Sequence, residues 1–199
     1  MKVAIKGCRG IGRCSEDTEY ILREEYENGV IVVMVDVADT VEDNSAEEIA
    51  RIVMDTCMKD TKMLAEQAPE LIASASAKAG ISDRVSIAVL VADGKKLGIA
   101  CTGKIRIIDV SDSKLEDGAI SDGRRVTPIH VLMKVMPNSS YGVLVATDGF
   151  WSKVEDEEIL IDYTKSRTSN EWIAYLMTRI GTRLTGADEC YSAVAVMCE

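Results

Sequence analysis

The chain has 199 residues, a length that predicts one domain spanning 1–199 with a substantial hydrophobic core. Its 33 acidic and 23 basic side chains give a net charge of −10, which excludes nucleic acid and anionic membranes as favoured partners. Such an acid excess is typical of a solvated surface or of carboxylates gathered around divalent cations. No basic, apolar leader and no apolar run of about 18 residues is present. We therefore predict a cytoplasmic protein without membrane insertion.

The cysteines have neither CxxC spacing nor the density of a disulfide-stabilised small protein. We expect all of them to be reduced thiols and expect no zinc site. The six are Cys8, Cys14, Cys57, Cys101, Cys190 and Cys198.

The first part of the chain is predicted to form strands. VAIKG reads as a short strand, and the glycine-punctuated KGCRGIGRCSED reads as a loop whose glycines do not make the GxGxxG of a dinucleotide site. TEYILREEY and the apolar VIVVMVD are predicted as antiparallel strands joined at Asn28-Gly29, a strong hairpin signal. The second of these strands ends on Asp36.

Two helices are predicted next. From Asn44 the apolar residues recur at helical spacing, with Asn44 or Ser45 as the N-cap and acidic residues in the first turn. A second helix is predicted over roughly 62–79, and it stops at Gly80.

The second half begins with three strand-like segments, RVSIAVLVAD, KLGIAC and KIRIIDV. Turn signals at Asp93-Gly94 and Thr102-Gly103 separate them, so they predict a three-strand meander. The polar segment that follows, 111–125, is predicted to be a mobile loop. YGVLVATDG and YSAVAVMC are then predicted as strands that flank a helix around 170–184.

Three aspartates stand at the ends of predicted strands: Asp36 after VIVVMV, Asp148 after YGVLVAT, and Asp188 just before the last strand. Asp-Gly and Ala-Asp are ordinary turn sequences, which is one explanation. Strands of one sheet also bring distant segments together, so these carboxylates could converge on Mg²⁺ or Mn²⁺, which prefer oxygen ligands.

The order of these segments favours the second explanation. GRCSEDTEYI, VVMVD, a helix pair, the meander, VLVATDGFW and GADECYSAVAV together resemble the metal-dependent (PPM, type-2C) protein serine/threonine phosphatase family, including its sporulation stage II branch. The resemblance implies an α+β fold, a four-layer α-β-β-α sandwich of two stacked, mainly antiparallel sheets flanked by helices. It also implies hydrolysis of phosphoserine or phosphothreonine in a protein substrate, with two Mn²⁺ or Mg²⁺ ions as cofactors.

The same resemblance implies roles for individual residues. Asp36 would bridge the two metals and Val37 would offer its carbonyl, while Asp148 and Asp188 would bind one metal, with Glu189 as the neighbouring alternative. Glu16 or Asp17 would orient a metal-bound water, and Arg13, or failing it Arg9, would bind the substrate phosphate.

Several positions depart from the family pattern. Val37 replaces a glycine, Ala38 stands where many members have a histidine, and Lys104 replaces an aspartate that helps to bind a further metal. These departures favour the alternative of a catalytically impaired module that acts in regulatory protein binding.

Three further residues have no predicted role in the chemistry. His130 is predicted to be packed or exposed, Cys190 to be a small apolar residue and Trp151 to fix the turn after Asp148. The loop 111–127 could carry partner choice.

Overall fold

A computed structural model describes residues 3–9, 18–27, 29–37, 45–59, 85–93, 96–111, 114–120, 132–135, 141–184 and 190–198. These residues form ten strands and four helices. The strands are β1 (Val3–Arg9), β2 (Glu19–Tyr26), β3 (Gly29–Val37), β4 (Val85–Asp93), β5 (Lys96–Thr102), β6 (Ile105–Ser111), β7 (Lys114–Ile120), β8 (Leu132–Val135), β9 (Tyr141–Thr147) and β10 (Ser192–Cys198). The helices are α1 (Ala46–Met58), α2 (Asp148–Trp151), α3 (Asp156–Lys165) and α4 (Ser169–Gly181). The predicted helix over 62–79 lies outside the described residues.

The strands make two five-stranded sheets, and the chain falls into two compact units, one around each sheet. The strand order is β2-β3-β4-β5-β8 in one sheet and β1-β10-β9-β6-β7 in the other. All the pairings with a described register are antiparallel. None of the described helices is long and apolar enough to cross a membrane.

Helix α1 covers one face of the β2-β3-β4-β5-β8 sheet. Ser45 caps its N-terminus by accepting a hydrogen bond from the Glu48 N–H at 3.2 Å, as the sequence predicts. Ile49, Val53 and Cys57 of α1 pack on the odd-numbered residues of β3, from Ile31 to Val37. Since side chains alternate along a strand, the even-numbered residues of β3, Asp36 among them, lie on the face opposite to α1.

The other sheet carries α3 and α4 on one face. Their apolar side chains bury Trp172, whose indole N–H donates to the Ile159 carbonyl at 3.2 Å, and pack on alternate residues of β9 and β10. The helices are also joined by charge, because Arg179 of α4 donates to both carboxylate oxygens of the buried Asp162 of α3. This unit therefore holds the ends of β9 and β10 on a rigid base.

The prediction of a three-strand meander that begins with β4 is wrong in part, and so is the prediction of a loop over 111–125. Strands β4 and β5 pair, but β6 lies in the other sheet beside β9 and β7. The segment Lys114–Ile120, predicted as loop, is strand β7 and pairs with β6. A turn signal shows that the chain reverses but does not say which sheet receives the next strand, and β7 is too polar to be recognised as a strand.

Two boundaries also differ from the prediction. Strand β1 continues through Arg9, where a loop was expected, because the whole segment pairs with β10. In the β2–β3 hairpin Gly29 is already in β3, opposite Tyr26, so it is not a turn residue. A β-carbon on Gly29 would lie 1.9 Å from the Ala92 carbonyl oxygen. Strand β4 therefore approaches too closely at this position for any residue other than glycine.

The ends of β9 and β10 are joined by a side chain. Thr147, the last residue of β9, accepts a hydrogen bond from the Ser192 N–H at 2.9 Å, and both residues are 0% exposed. The Thr147 hydroxyl also lies 3.3 Å from the Ser192 carbonyl oxygen, to which it donates. The hydroxyl thus continues the ladder beyond the last paired residues, Ala146 and Ala193, and fixes how far apart the two strand ends lie.

We expect Thr147→Val to lower the free energy of unfolding by about 1–3 kcal/mol, because the buried Ser192 N–H loses its acceptor while the side-chain volume is kept. Thr147→Ser is the matched control, since it keeps the hydroxyl and loses one methyl group, worth about 1 kcal/mol. Urea denaturation of both variants measures the difference. Equal stability of the valine and serine variants would contradict this role for the hydroxyl.

We expect Gly103→Ala to destabilise the turn that leads from β5 to β6. Gly103 has φ +76, and a β-carbon there would lie 2.5 Å from the Cα of Ser86. The backbone strain alone costs about 1–3 kcal/mol.

Gly181→Ala serves as its control, because Gly181 ends α4 and a β-carbon there meets no atom within 4 Å. We expect it to be neutral or to stabilise by up to about 1 kcal/mol. Thermal unfolding of the two variants in parallel tests the contrast, and a Gly103→Ala protein as stable as Gly181→Ala would refute it.

Candidate metal centre

Asp36 lies in a row of oxygen-bearing side chains that crosses three strands. It is the last residue but one of β3, directly opposite Glu19 of β2 on one side and Ser86 of β4 on the other. Glu19 and Ser86 are buried, and Asp36 is half-buried. The row therefore places two carboxylates and a hydroxyl at one end of the sheet, on the face opposite to α1.

Val37, predicted to offer its carbonyl to a metal, is the last residue of β3. Its N–H donates to the Thr18 carbonyl at 2.7 Å, and its side chain is buried in the cluster against α1. These contacts hold Val37, and with it the neighbouring Asp36, in a fixed register against β2. The role of its carbonyl stays a prediction.

Ser86 links this row to the turn between β5 and β6. Its hydroxyl accepts a hydrogen bond from the Lys104 N–H at 3.0 Å, and its Cα and hydroxyl approach Gly103 so closely that only glycine fits there. The Lys104 side chain is exposed. Lys104, which departs from the family pattern, is therefore anchored through its backbone N–H to Ser86, the residue directly opposite Asp36.

Asp148 occupies the end of β9. It is the first residue of the short helix α2, its side chain accepts the Gly149 N–H at 3.0 Å, and its carbonyl accepts the Ser152 N–H at 3.0 Å. The sequence predicted a turn there that presents the aspartate, and the helical turn α2 fills that place. Trp151, predicted to fix this turn, packs partly buried against the cluster beneath it.

Gly149 brings α2 against the chain that enters β10. A β-carbon at this position would lie 1.8 Å from the carbonyl oxygen of Cys190, so no other residue fits without moving backbone. Cys190 follows Asp188 and Glu189 directly in the sequence. Asp148 is therefore next to the contact between Gly149 and Cys190, and Cys190 follows the predicted ligands Asp188 and Glu189.

Some of the predicted site residues lie outside the described residues: Arg13, Glu16, Asp17, Ala38, His130, Asp188 and Glu189. Asp36 and Asp148 are described, but each in its own unit. Within the described ranges no three His, Cys, Asp or Glu side chains gather as a metal-binding group. The complete ligand set therefore remains a prediction, and what the structure describes is the setting of its two strand-end aspartates.

The free thiols in the described part of the chain are Cys57, Cys101 and Cys198, and burial raises the pKa of each. Burial raises the pKa of Cys57 to about 11 and that of Cys101 to about 12, so both thiols are protonated at neutral pH. Cys190 is disulfide-bonded, which corrects the prediction that all six thiols are reduced. Sequence spacing could not reveal it, because only the fold decides which sulfur atoms come within bonding distance.

The chemistry of the described donors fits a hard divalent cation. The row around Asp36 offers carboxylate and hydroxyl oxygens, and Asp148 adds another carboxylate at its own strand end. Mg²⁺ and Mn²⁺ prefer oxygen ligands of this kind.

Glu19 and Ser86 are not among the residues predicted from the sequence. Both occupy positions opposite Asp36, and the signal that could have found them is the strand register. Had the β2–β3 hairpin been counted from its true turn, Glu19 would have fallen opposite Asp36. The Asn28-Gly29 signal placed the turn one residue too late.

Comparison with solved structures gives likenesses over the whole chain. A serine/threonine phosphatase from S. agalactiae matches with a TM-score of 0.73 at 13% identity, covering 98% of this chain and 99% of that one. The catalytic domain of the serine/threonine phosphatase PstP, in complex with two manganese ions, matches with a TM-score of 0.67 at 15% identity, covering 100% and 98%. RsbX in complex with magnesium matches with a TM-score of 0.70 at 11% identity, covering 98% and 96%.

No protein-family model and no curated protein matches the sequence. At 11 to 15% identity the structural likenesses establish the fold and nothing finer. They confirm the fold class that the sequence resemblance implied. The chain has the α+β sandwich fold of the metal-dependent, PPM-type serine/threonine phosphatases.

Proposed function

We propose that this protein is a metal-dependent protein serine/threonine phosphatase, which hydrolyses phosphoserine and phosphothreonine with water at a two-metal carboxylate centre. The observation that carries the proposal is the position of Asp36 and Asp148 at the ends of β3 and β9, the strand ends at which the sequence resemblance expects metal ligands. The fold, shared with the phosphatase PstP solved with manganese and with RsbX solved with magnesium, supports the same assignment.

The proposed ligand set consists of oxygen donors from four segments. Asp36 would hold both cations with the Val37 carbonyl beside it, and Asp148 would hold one of them together with Asp188, or with Glu189. The close contact between Gly149 and Cys190 supports the grouping of Asp148 with Asp188 or Glu189, because both of these acids lie within two residues of Cys190 in the sequence. Mn²⁺ or Mg²⁺, when bound, lowers the pKa of water and neutralises phosphate charge.

The other residues act on water and substrate. Glu16 and Asp17 accept hydrogen bonds from water and so orient it, and the planar guanidinium of Arg13 binds phosphate oxygens of the substrate. Asp36 and Asp148 hold their positions through the backbone contacts of Val37 and Gly149. No residue of the chain needs to form a covalent bond to phosphate, so the chemistry is a direct transfer to water.

The proposed substrate is a phosphorylated protein, and the cytoplasmic location stays a prediction. Arg106 is not available for substrate, because both of its terminal nitrogens donate to the Asp156 carboxylate, at 2.7 and 2.9 Å. The proposed phosphate-binding cation is Arg13, or failing it Arg9, in the N-terminal segment.

We expect metal-dependent hydrolysis of p-nitrophenyl phosphate and of a phosphothreonine peptide, with Mn²⁺ or Mg²⁺, and none with a chelator. Asp36→Asn and Asp148→Asn should each lower kcat by more than about 100-fold, because even residues behind metal ligands commonly contribute 10- to 100-fold. Glu157→Gln removes the same charge from an exposed position of α3 and should retain full activity.

Circular dichroism should show that each variant is folded before its activity is measured. A folded protein that hydrolyses neither substrate with any metal would overturn the proposal and favour a regulatory binding module. Full activity of the Asp36→Asn variant would overturn the assignment of that residue alone.

A further inference from the structure

Glu19 is one of the two residues directly opposite Asp36, and it is the acidic one; the sequence resemblance gives it no role. It is the first residue of β2, directly opposite Asp36, and only 2% exposed. A glutamate this deeply buried is rare unless its charge interacts with another group.

The hydrogen-bond pattern brings the two side chains together. The Val37 N–H donates to the Thr18 carbonyl, so residues 18 and 37 form a hydrogen-bonded pair and the next pair, Glu19 and Asp36, is of the non-hydrogen-bonded kind. In such pairs the Cα atoms are about 4.5 Å apart and the side chains leave the sheet on the same face. Both carboxylates therefore stand side by side on the face opposite to α1.

This face is set by the packing of the neighbouring residues. Tyr20 and Leu22 of β2 pack with Val33 and Val35 of β3 in the cluster beneath α1. Since Glu19 alternates with Tyr20, and Asp36 with Val35, both acids must lie on the other side of the sheet. A slip of register that separated them would expose this apolar cluster, so the sheet holds the two acids together.

Two like charges directly opposite each other destabilise a sheet, and burial strengthens their repulsion. A divalent cation between them reverses the sign of the interaction. We propose that Glu19 is a further acidic residue of the metal centre, adding its carboxylate to the cation that Asp36 binds. This inference rests on the proposed function, because it takes Asp36 to be a metal ligand.

Calorimetric titration of the full chain with Mn²⁺ tests the inference without relying on activity. We expect Glu19→Gln to weaken Mn²⁺ binding by roughly 10- to 100-fold, the usual effect of losing an acidic group from a metal site. The matched control is Glu24→Gln, which removes the same charge from an exposed position of the same strand and should bind within about twofold of the unaltered protein. Glu19→Asp, which keeps the charge, should restore part of the affinity.

Thermal unfolding separates this role from a purely structural one. In chelator, Glu19→Gln should remain folded, and its unfolding temperature there is the reference for the effect of Mn²⁺. Saturating Mn²⁺ should raise the unfolding temperature of Glu19→Gln by less than that of the unaltered protein, since weaker binding gives less stabilisation.

The outcomes distinguish the two proposals. If the unaltered protein binds no Mn²⁺, the proposed function and the role of Glu19 both fail. If the unaltered protein binds Mn²⁺ and Glu19→Gln binds it equally well, only the role of Glu19 fails. A Glu19→Gln protein that does not fold in chelator would assign Glu19 a structural role and would likewise overturn the inference.

Discussion

The register of the antiparallel ladders is the constraint on which the candidate metal centre depends. Side chains alternate between the faces of a strand, so a slip of one residue would turn Asp36 towards α1 and bring the apolar Val37 to its place. The cluster beneath α1 prevents this slip in one sheet. In the other sheet, the bonds between Thr147 and Ser192 fix the strand ends beside Asp148.

The two strand-end aspartates, Asp36 and Asp148, are each placed by apolar packing within their own unit. The strands that carry them are apolar along most of their length, and their buried residues favour the folded sheet whether or not a cation is bound. Burial of this kind can therefore fix the position of a strand-end carboxylate without a bound cation. That arrangement suits a metal site, because binding then needs little rearrangement of the chain.

The turn between β5 and β6 contains Gly103, which packs against Ser86, and Lys104, which departs from the family pattern. Gly103 allows the chain to leave one sheet for the other, and its close contact with Ser86 ties this turn to the neighbour of Asp36. Lys104 stands at the same turn with its side chain exposed, and Arg106 is bound to Asp156 of α3. In this chain the turn thus contributes its backbone contacts and brings no additional carboxylate.

The sequence alone determined most strands and helices of the described part, because long apolar runs and a capped, periodic segment leave few alternatives. It also determined the order of the segments, and that order carried the resemblance and the fold class. Asp36 and Asp148 were recognised because each ends an apolar strand. Tertiary structure decided what local patterns do not encode: the transfer of β6 to the other sheet, the strand character of β7, the disulfide of Cys190 and the pairing of Glu19 with Asp36. Each of these depends on which distant segment becomes a neighbour, and that choice is made by packing over the whole sheet and not by the residues on either side of a turn.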